Sequence, residues 1–382
     1  MSGRAGADVL IVGGGVIGCA VGYFLAAEHG VRALVVERDG VARHASGGAA
    51  GELSVVGRSQ LDATMTRDDP FTALCAEGAR LHEELGPALR EEGGIDYGLA
   101  DTLILRPSLT QREAEEAQGQ LAIQRALGLE AEWLEPSELE ALGSWVTKDV
   151  YGAILTGEAQ LESAPFAHAL AQAAIRRGAE IVIDEVVGLE AEGGRAPSAV
   201  GRSGSYGGER VVLAAGPWSA RLGASIGVRA PVRPVRGQIL HLQAPAEPQR
   251  YGVFHRTGYA LPKSGGVVYA GTTEEEAGFE AETTAEGRES ILSAVARFAP
   301  DAARLPVINA TACLRPVSDD GLPLMGAAPG WDSLYLATGH GRKGILLSLV
   351  SGKAMADLIV TGRSAIDVDA FDPARFALSR GG

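Results

Sequence analysis

The sequence predicts two intertwined domains, one α/β with a parallel sheet and one α+β with an antiparallel sheet. Three observations point there. A strand, a glycine turn, a helix and a second strand open the chain. Further buried βα elements recur near its middle and end, and alternating apolar strands fall between them. At 382 residues the chain exceeds a single simple core, and 46% hydrophobic residues allow a large buried one. The expected division is a discontinuous first domain at 1–80, 150–228 and 310–382, with 81–149 and 229–309 forming the second.

Asp8–Val12 is a short apolar run closed by Gly13-Gly14-Gly15 and followed by a helical stretch to about Glu28; Ala33–Val36 is a second buried strand ending in Glu37. Asp69–Glu92 has helical periodicity, Thr102–Arg106 is strand-like, and Thr110–Leu127 is a charged amphipathic helix. Ser137–Leu142 is a shorter helix, with Ser137 expected as its cap and Glu140 completing a capping box. A helix over Pro165–Arg177 leads into strands at Glu180–Asp184 and Val186–Glu190. Gly193–Gly208, rich in Gly and Ser, is expected as an exposed hairpin loop. Arg210–Ala215 is a buried strand running into Gly216-Pro217-Trp218. Val235–Leu242, Gly258–Leu261 and Val267–Thr272 alternate as antiparallel strands do, and a helix follows at Ala285–Phe298. Ser333–Ala337 is the last buried strand and Gly344–Val360 the last long helix.

Composition excludes several classes. Formal net charge is −14 with acids and bases intermixed and no long basic run, which argues against nucleic acid or an anionic membrane surface as partner. Cys19, Cys75 and Cys313 are odd in number and widely separated, with neither disulfide nor metal spacing, and fit a reducing compartment. The apolar stretch Val9–Ala27 carries five glycines and no strongly basic lead, so it reads as strand, turn and helix rather than a signal peptide. A cytoplasmic protein is expected.

Gly13-x-Gly15-x-x-Gly18 follows a strand and opens a helix, the context a dinucleotide fingerprint requires. The first glycine permits the turn and the second lets backbone approach a pyrophosphate. The third allows close packing of helix on strand, and the helix N-terminus supplies free N–H groups. Glu37 ends the second strand, placed to accept hydrogen bonds from a ribose. Two later features favour FAD over NAD: the small-residue run His44–Gly51, and the strand Val211–Ala215 ending in Ala-Gly-Pro-Trp. Each brings backbone close to a large flat ligand, whereas an NAD dehydrogenase needs neither.

Cys313-Leu-Arg315-Pro-Val-Ser-Asp-Asp-Gly-Leu-Pro323 and Ala337-Thr-Gly339-His340-Gly341-Arg342-Lys-Gly344-Ile345-Leu346 carry a wider resemblance. With the fingerprint, Ser46–Gly51, Gly157-Glu158, Ala214–Ser219, Pro234–Gln238 and Gly271–Thr273, they make the chain resemble, nearly end to end, the glycine oxidase and D-amino acid oxidase family of flavoproteins, above all the thiamin-linked glycine oxidases. The resemblance implies a glutathione-reductase-type FAD-binding domain and an antiparallel substrate domain covering the flavin. It implies oxidation of a small amino acid or amine, O2 as acceptor and a homo-oligomer, relatives forming tetramers. Expected FAD contacts are Gly13, Gly15, Gly18, Glu37, Arg38, Ser46, Gly48, Ala49, Val187, Gly216, Trp218, Gly339, His340, Gly341, Gly344 and Ile345.

The family's carboxylate-binding arginine falls on Arg315; the other reading is a structural pair with Asp319 or Asp320. Arg342 matches a second active-site arginine, against a cap or surface role. Tyr259 matches a tyrosine that holds substrate over the flavin. Glu52 and Glu274 stand where glycine oxidases carry methionines. They either select a substrate with an extra positive group, or point to solvent or to Arg58 and Arg256. Cys313 matches the cysteine that carries covalent flavin in monomeric sarcosine oxidases, or is a small buried apolar residue. Tyr269 stands where sarcosine oxidases carry an oxygen-activating lysine. Three alternatives remain: the flavin subunit of a dehydrogenase with another acceptor, an NAD-dependent dehydrogenase, which a colourless protein would favour, and a non-catalytic flavin-binding partner, which no amine would bleach.

Overall fold

The computed structural model describes residues 7–56, 68–191, 197–247 and 249–377. Alternation in the first strand sets the architecture. In Ala7–Val12, Val9 and Ile11 join one buried cluster and Leu10 and Val12 another, so the sheet is covered on both faces. This six-stranded sheet runs Leu324–Ala327, Leu334–Thr338, Gly208–Leu213, Ala7–Val12, Ala33–Glu37, Glu180–Ile183. Its pairings are parallel except that between Leu324–Ala327 and Leu334–Thr338. Helices Val16–His29, Ser163–Arg176 and Ser348–Thr361 cover one face. A three-stranded sheet, Val186–Glu190, Ser198–Gly201 and Ser205–Tyr206, covers the other through Leu189, Ala199 and Tyr206.

The second sheet has eight strands: Val307–Ser318, Val232–Gln243, Val267–Gly271, Gly258–Lys263, Tyr251–His255, Ala100–Ser108, Gly152–Gln160 and Ala131–Leu134. All its pairs are antiparallel except Tyr251–His255 with Ala100–Ser108. Helix Ala285–Phe298 packs Ile291, Val295 and Phe298 on Leu240, Leu242, Val268 and Ala270. Among the described residues, no helix is long and apolar enough to cross a membrane.

Several elements differ from expectation. Gly152–Gln160, grouped by sequence with the first domain, is hydrogen-bonded into the eight-stranded sheet. Helix Pro70–Gly93 crosses the expected boundary at residue 80 and buries Phe71, Leu74, Cys75, Leu81 and Leu89 in the core of the parallel-sheet domain. The Gly/Ser-rich stretch is not simply a loop. Ala199 and Tyr206 turn inward, and Asp184 accepts hydrogen bonds from the Ser203 backbone (3.0 Å) and the Tyr206 hydroxyl (2.8 Å). The portion at 192–196 lies outside the described residues.

Helix Pro136–Ala141 begins one residue before the expected Ser137 cap. Proline suits the first helical position, where no N–H is needed, and Glu138 rather than Glu140 reaches back to the Glu135 N–H (2.8 Å). The last helix starts at Ser348 rather than Gly344. The residues before it form turns, tied down where Lys343 Nζ donates to Ser54 O (2.7 Å) and Val56 O (3.1 Å).

Candidate functional site

The two domains enclose one cavity of about 640 Å³, lined by the glycine turn at one end and by the strands carrying Arg315 and Tyr259 at the other. The residues expected to contact FAD or substrate line it except Gly18, Gly339 and Glu274, and Tyr269 does not line it either. Gly18 packs behind the turn, where a Cβ would lie 1.9 Å from Gly13 O.

The cradle follows from local geometry. Gly13 has φ +113°, and a Cβ there would meet Ala214 O at 2.4 Å, so the Val211–Ala215 segment closes directly against the turn. Gly15 caps helix Val16–His29 without a side-chain bond; Ser46 Oγ accepts from the Val16 N–H (3.1 Å). Glu37 is buried and spends one lone pair per oxygen on the Gly14 N–H (2.6 Å) and the Asp39 N–H (3.0 Å). Each carboxylate oxygen keeps a second lone pair for a ribose hydroxyl. An N–H-rich helix start beside a fixed acid fits a dinucleotide.

An aromatic wall flanks this end. Arg38 lies 4.4 Å over the Trp218 ring, His44 packs on Trp218 at 4.9 Å, and Asp39 holds both Arg38 and His44 at 2.7 Å. Trp218 sits in the turn Gly216–Trp218, and Val187 is an exposed side chain at the rim. Farther in, Gly48, Ala49, Gly341, Gly344 and Ile345 line the cavity. His340 is buried, its Nε2 paired with Ser351 Oγ (3.0 Å) and its Nδ1 without a partner; burial pushes its pKa down to about 3. It lines the cavity as a neutral ring.

Arg315 projects from Val307–Ser318 over Gly237 of the paired strand, where a Cβ would lie 2.1–2.2 Å from the guanidinium. Nη1 donates to Thr273 O (2.9 Å) and Nη2 to Thr272 Oγ1 (2.6 Å), fixing the plane while leaving further donors free for a carboxylate. The pair with Asp319 or Asp320 does not form: Asp319 meets Arg229 (3.4 Å) and Asp320 meets Arg375 (2.8 Å).

Arg342 is 19% exposed, donates from Nε to Glu274 Oε1 (2.5 Å), and has a buried Nη2 without a partner, which rules out a surface role. Burial, followed by the field of Arg315, lowers its pKa. Tyr259 stacks on Phe254 at 5.0 Å and 18°, and burial raises its hydroxyl's pKa. Cys313 is buried with Sγ 3.9 Å from Gly48 O, and burial raises its thiol.

Beside these lies a charged cluster that sequence reasoning did not assemble. Arg106 meets Glu158 at 2.7 Å and Glu52 at 3.4 Å, with side chains 18%, 2% and 15% exposed. Arg106 also donates to Thr156 Oγ1 (2.8 Å) and Ser54 Oγ (3.1 Å). Burial opposes ionisation of Glu158, but Arg106 and the Thr156 hydroxyl hold its pKa below the usual value. Burial, then the like charge of Glu158, push Glu52 up to about 8 against the pull of Arg106 and Lys343. Glu52 and Glu274 thus pair with Arg106 and Arg342 rather than with Arg256, whose partners are Glu113 and Glu116; Arg58 lies outside the described residues. Each acid thus has an arginine partner within the fold. Glu158 and Lys343 sit inside recognisable motifs, yet only the fold shows what they touch.

Lys263 is a further residue the sequence did not flag. Its buried Nζ donates to Leu161 O (2.8 Å) and Ala50 O (3.1 Å), and it lies 5.6 Å from the ring of Tyr269.

With this geometry in hand, known proteins give a consistent picture. Residues 8–358 match the protein family described as DAO, FAD dependent oxidoreductase. The chain is 33% identical over 378 residues to a glycine oxidase of Geobacillus kaustophilus, covering 98% of this chain and 97% of that one. A crystal structure of glycine oxidase from Geobacillus kaustophilus superposes with a TM-score of 0.89 at 32% identity, covering 97% of this chain and 99% of that one. One of iminodiacetate oxidase from Chelativorans sp. BNC1 superposes with a TM-score of 0.85 at 26% identity, covering 96% and 98%.

Proposed function

The chain belongs to the DAO family of FAD-dependent oxidoreductases, and we propose that it oxidises a small amino acid or related amine at the carbon bearing nitrogen, with O2 as the final acceptor. The observation that carries this reading is Arg315: a planar donor set, fixed by Thr272 and Thr273, at the end of a cavity whose other end is a dinucleotide cradle. Bound FAD supplies the hydride acceptor, chemistry no side chain here offers.

The protein's own residues bind, orient and exclude water. Gly13, Gly15 and the start of helix Val16–His29 would hold the diphosphate, and Glu37 a ribose. The segments at Ser46–Ala49 and His340–Ile345 would border the ring system. Arg315 grips the substrate carboxylate through two parallel N–H bonds, which fixes the hydrogen presented for removal. Tyr259 closes one side of the pocket, and Arg342, neutralised by Glu274, rims it. The imine product is then hydrolysed to a carbonyl compound and an amine. Oxidase names among the relatives support O2 as acceptor.

The test is a visible spectrum of the purified protein recorded anaerobically while amino acids and amines are added. Bleaching by one of them, reversed rapidly on admitting air, is the expected result. A flavin that no amine bleaches would overturn the proposal, and slow recovery in air would replace O2 with another acceptor.

A further inference from the structure

An amino acid reaches the cavity as a zwitterion, yet loss of hydride from its α-carbon needs a neutral amine whose lone pair can form the C=N bond. A proton must therefore leave the nitrogen inside a space lined by Arg315, Arg342 and Lys343. Most groups lining that end cannot take it. Burial disfavours a charged His340, Lys343 spends its Nζ on two carbonyls, and Tyr259 and Cys313 are already protonated donors. His255 and Glu113, also on the cavity wall, are paired with each other, whereas Glu52 can take it. It lines the cavity, and the Tyr259 hydroxyl lies in the combined field of Arg315, Arg342, Cys313 and Glu52, so these groups surround one space.

We propose that Glu52 pairs with the substrate's α-ammonium and accepts its proton, while Arg315 holds the carboxylate. The step is a proton transfer without redox change: an N–H bond of the ammonium breaks, an O–H bond forms on Glu52, and the opposite charges vanish together. The electron pair left on nitrogen is the one hydride loss requires. The surroundings suit the task. Arg106 orients Glu52 from strand Ala100–Ser108, Glu158 opposes its ionisation from Gly152–Gln160, and Lys343 and Lys263 contribute positive field. Burial and Glu158 together leave Glu52 titrating at about 8, so neither form is locked in.

The inference rests on the amine-oxidation reading, and its test separates the two. Holoenzyme is titrated calorimetrically with 2-aminoisobutyrate, which has no α-hydrogen to lose, in buffers of differing ionisation enthalpy; 2-hydroxyisobutyrate is the control. At about pH 7.5 a group titrating at about 8 is roughly three-quarters protonated. Binding the amino ligand should release about that fraction of a proton, falling near zero in Glu52→Gln and with the hydroxy ligand. The acid limb of anaerobic flavin reduction should also move in Glu52→Gln from near 8 up toward the substrate amine's own pKa, and return in Glu52→Asp. Equal proton release by wild type and Glu52→Gln, or an unmoved limb with flavin still bleached, overturns the role of Glu52 alone. If neither ligand binds and no amine bleaches the flavin, the amine-oxidation reading falls and this inference falls with it.

Discussion

Replacing Glu158 by Gln should make the enzyme better at neutral pH, although Glu158 touches no substrate. Glu158 and Glu52 share Arg106, and Glu158, at 2.7 Å against 3.4 Å, holds the closer contact. The like charge of Glu158 is, after burial, the largest cause raising Glu52. Two unit charges a few ångströms apart at an effective dielectric of about 20 interact by roughly 3 kcal/mol, or roughly two pKa units. Removing that charge, and leaving Glu52 as the one anionic partner of Arg106 among the described residues, should bring the acid limb of flavin reduction from about 8 toward about 6. At about pH 7 the ionised fraction of Glu52 then rises from roughly a tenth to roughly nine-tenths, so kcat/KM should climb several-fold. The amide fits the space: its oxygen can keep Arg106, and its nitrogen takes the place of Oε2, which has no partner in the acid. The assay is stopped-flow flavin reduction from about pH 5.5 to 10, with proton release on binding 2-aminoisobutyrate as an independent reading. An acid limb that stays near 8, or rises, would refute the electrostatic argument.

Other outcomes follow from the same contacts. Arg315→Ala should raise KM for carboxylate-bearing substrates about a hundredfold, since charge-assisted bonds contribute roughly 1.5–3 kcal/mol each; steady-state kinetics check it, and an unchanged KM removes the assignment. Gly13→Ala places a Cβ 2.4 Å from Ala214 O at φ +113° and should cost the protein its FAD, read from the flavin-to-protein absorbance ratio. Because burial raises the thiol of Cys313, the flavin should be held without a thioether, and acid precipitation should leave all of it in the supernatant. For Glu52 the folded pKa, about 8, lies above the ordinary 4.5, so between these values the folded state binds the extra proton. Wild-type stability contributed by this group therefore falls as pH rises from about 4.5 to 8 and is flat above. The Tm of Glu52→Gln relative to wild type should increase over that window and then level; a constant difference would contradict the assignment.

Much of this was legible in sequence where the chemistry is local. The turn Gly13–Gly18 and the acid Glu37 lie in one βαβ unit, and their spacing alone puts a helix start beside a ribose-binding carboxylate. The short strands were harder. Gly152–Gln160 has little alternation because its surroundings, not its own pattern, bury it between Ala100–Ser108 and Ala131–Leu134. Ser198–Gly201 and Ser205–Tyr206 carry loop composition, yet two inward side chains and the Asp184 bonds suffice to fix them. In both cases tertiary contact outweighed local propensity.

The substrate end shows the sharper limit. Arg315, Arg342 and Tyr259 could be named because a family pattern passes through them, but their partners could not. Glu274 reads as an added negative charge until the fold sets it on Arg342, and Glu52 reads the same way until Arg106 arrives from 54 residues away. Once paired, the two acids play different parts. Glu274 is half exposed, so solvent screens its interaction with Arg342 and it tempers a charge at the rim. Glu52 is largely buried beside a second carboxylate that competes for the same guanidinium, so its proton is held loosely near neutrality instead of being lost. Two acids that read alike in sequence thus differ through burial and through what shares the arginine.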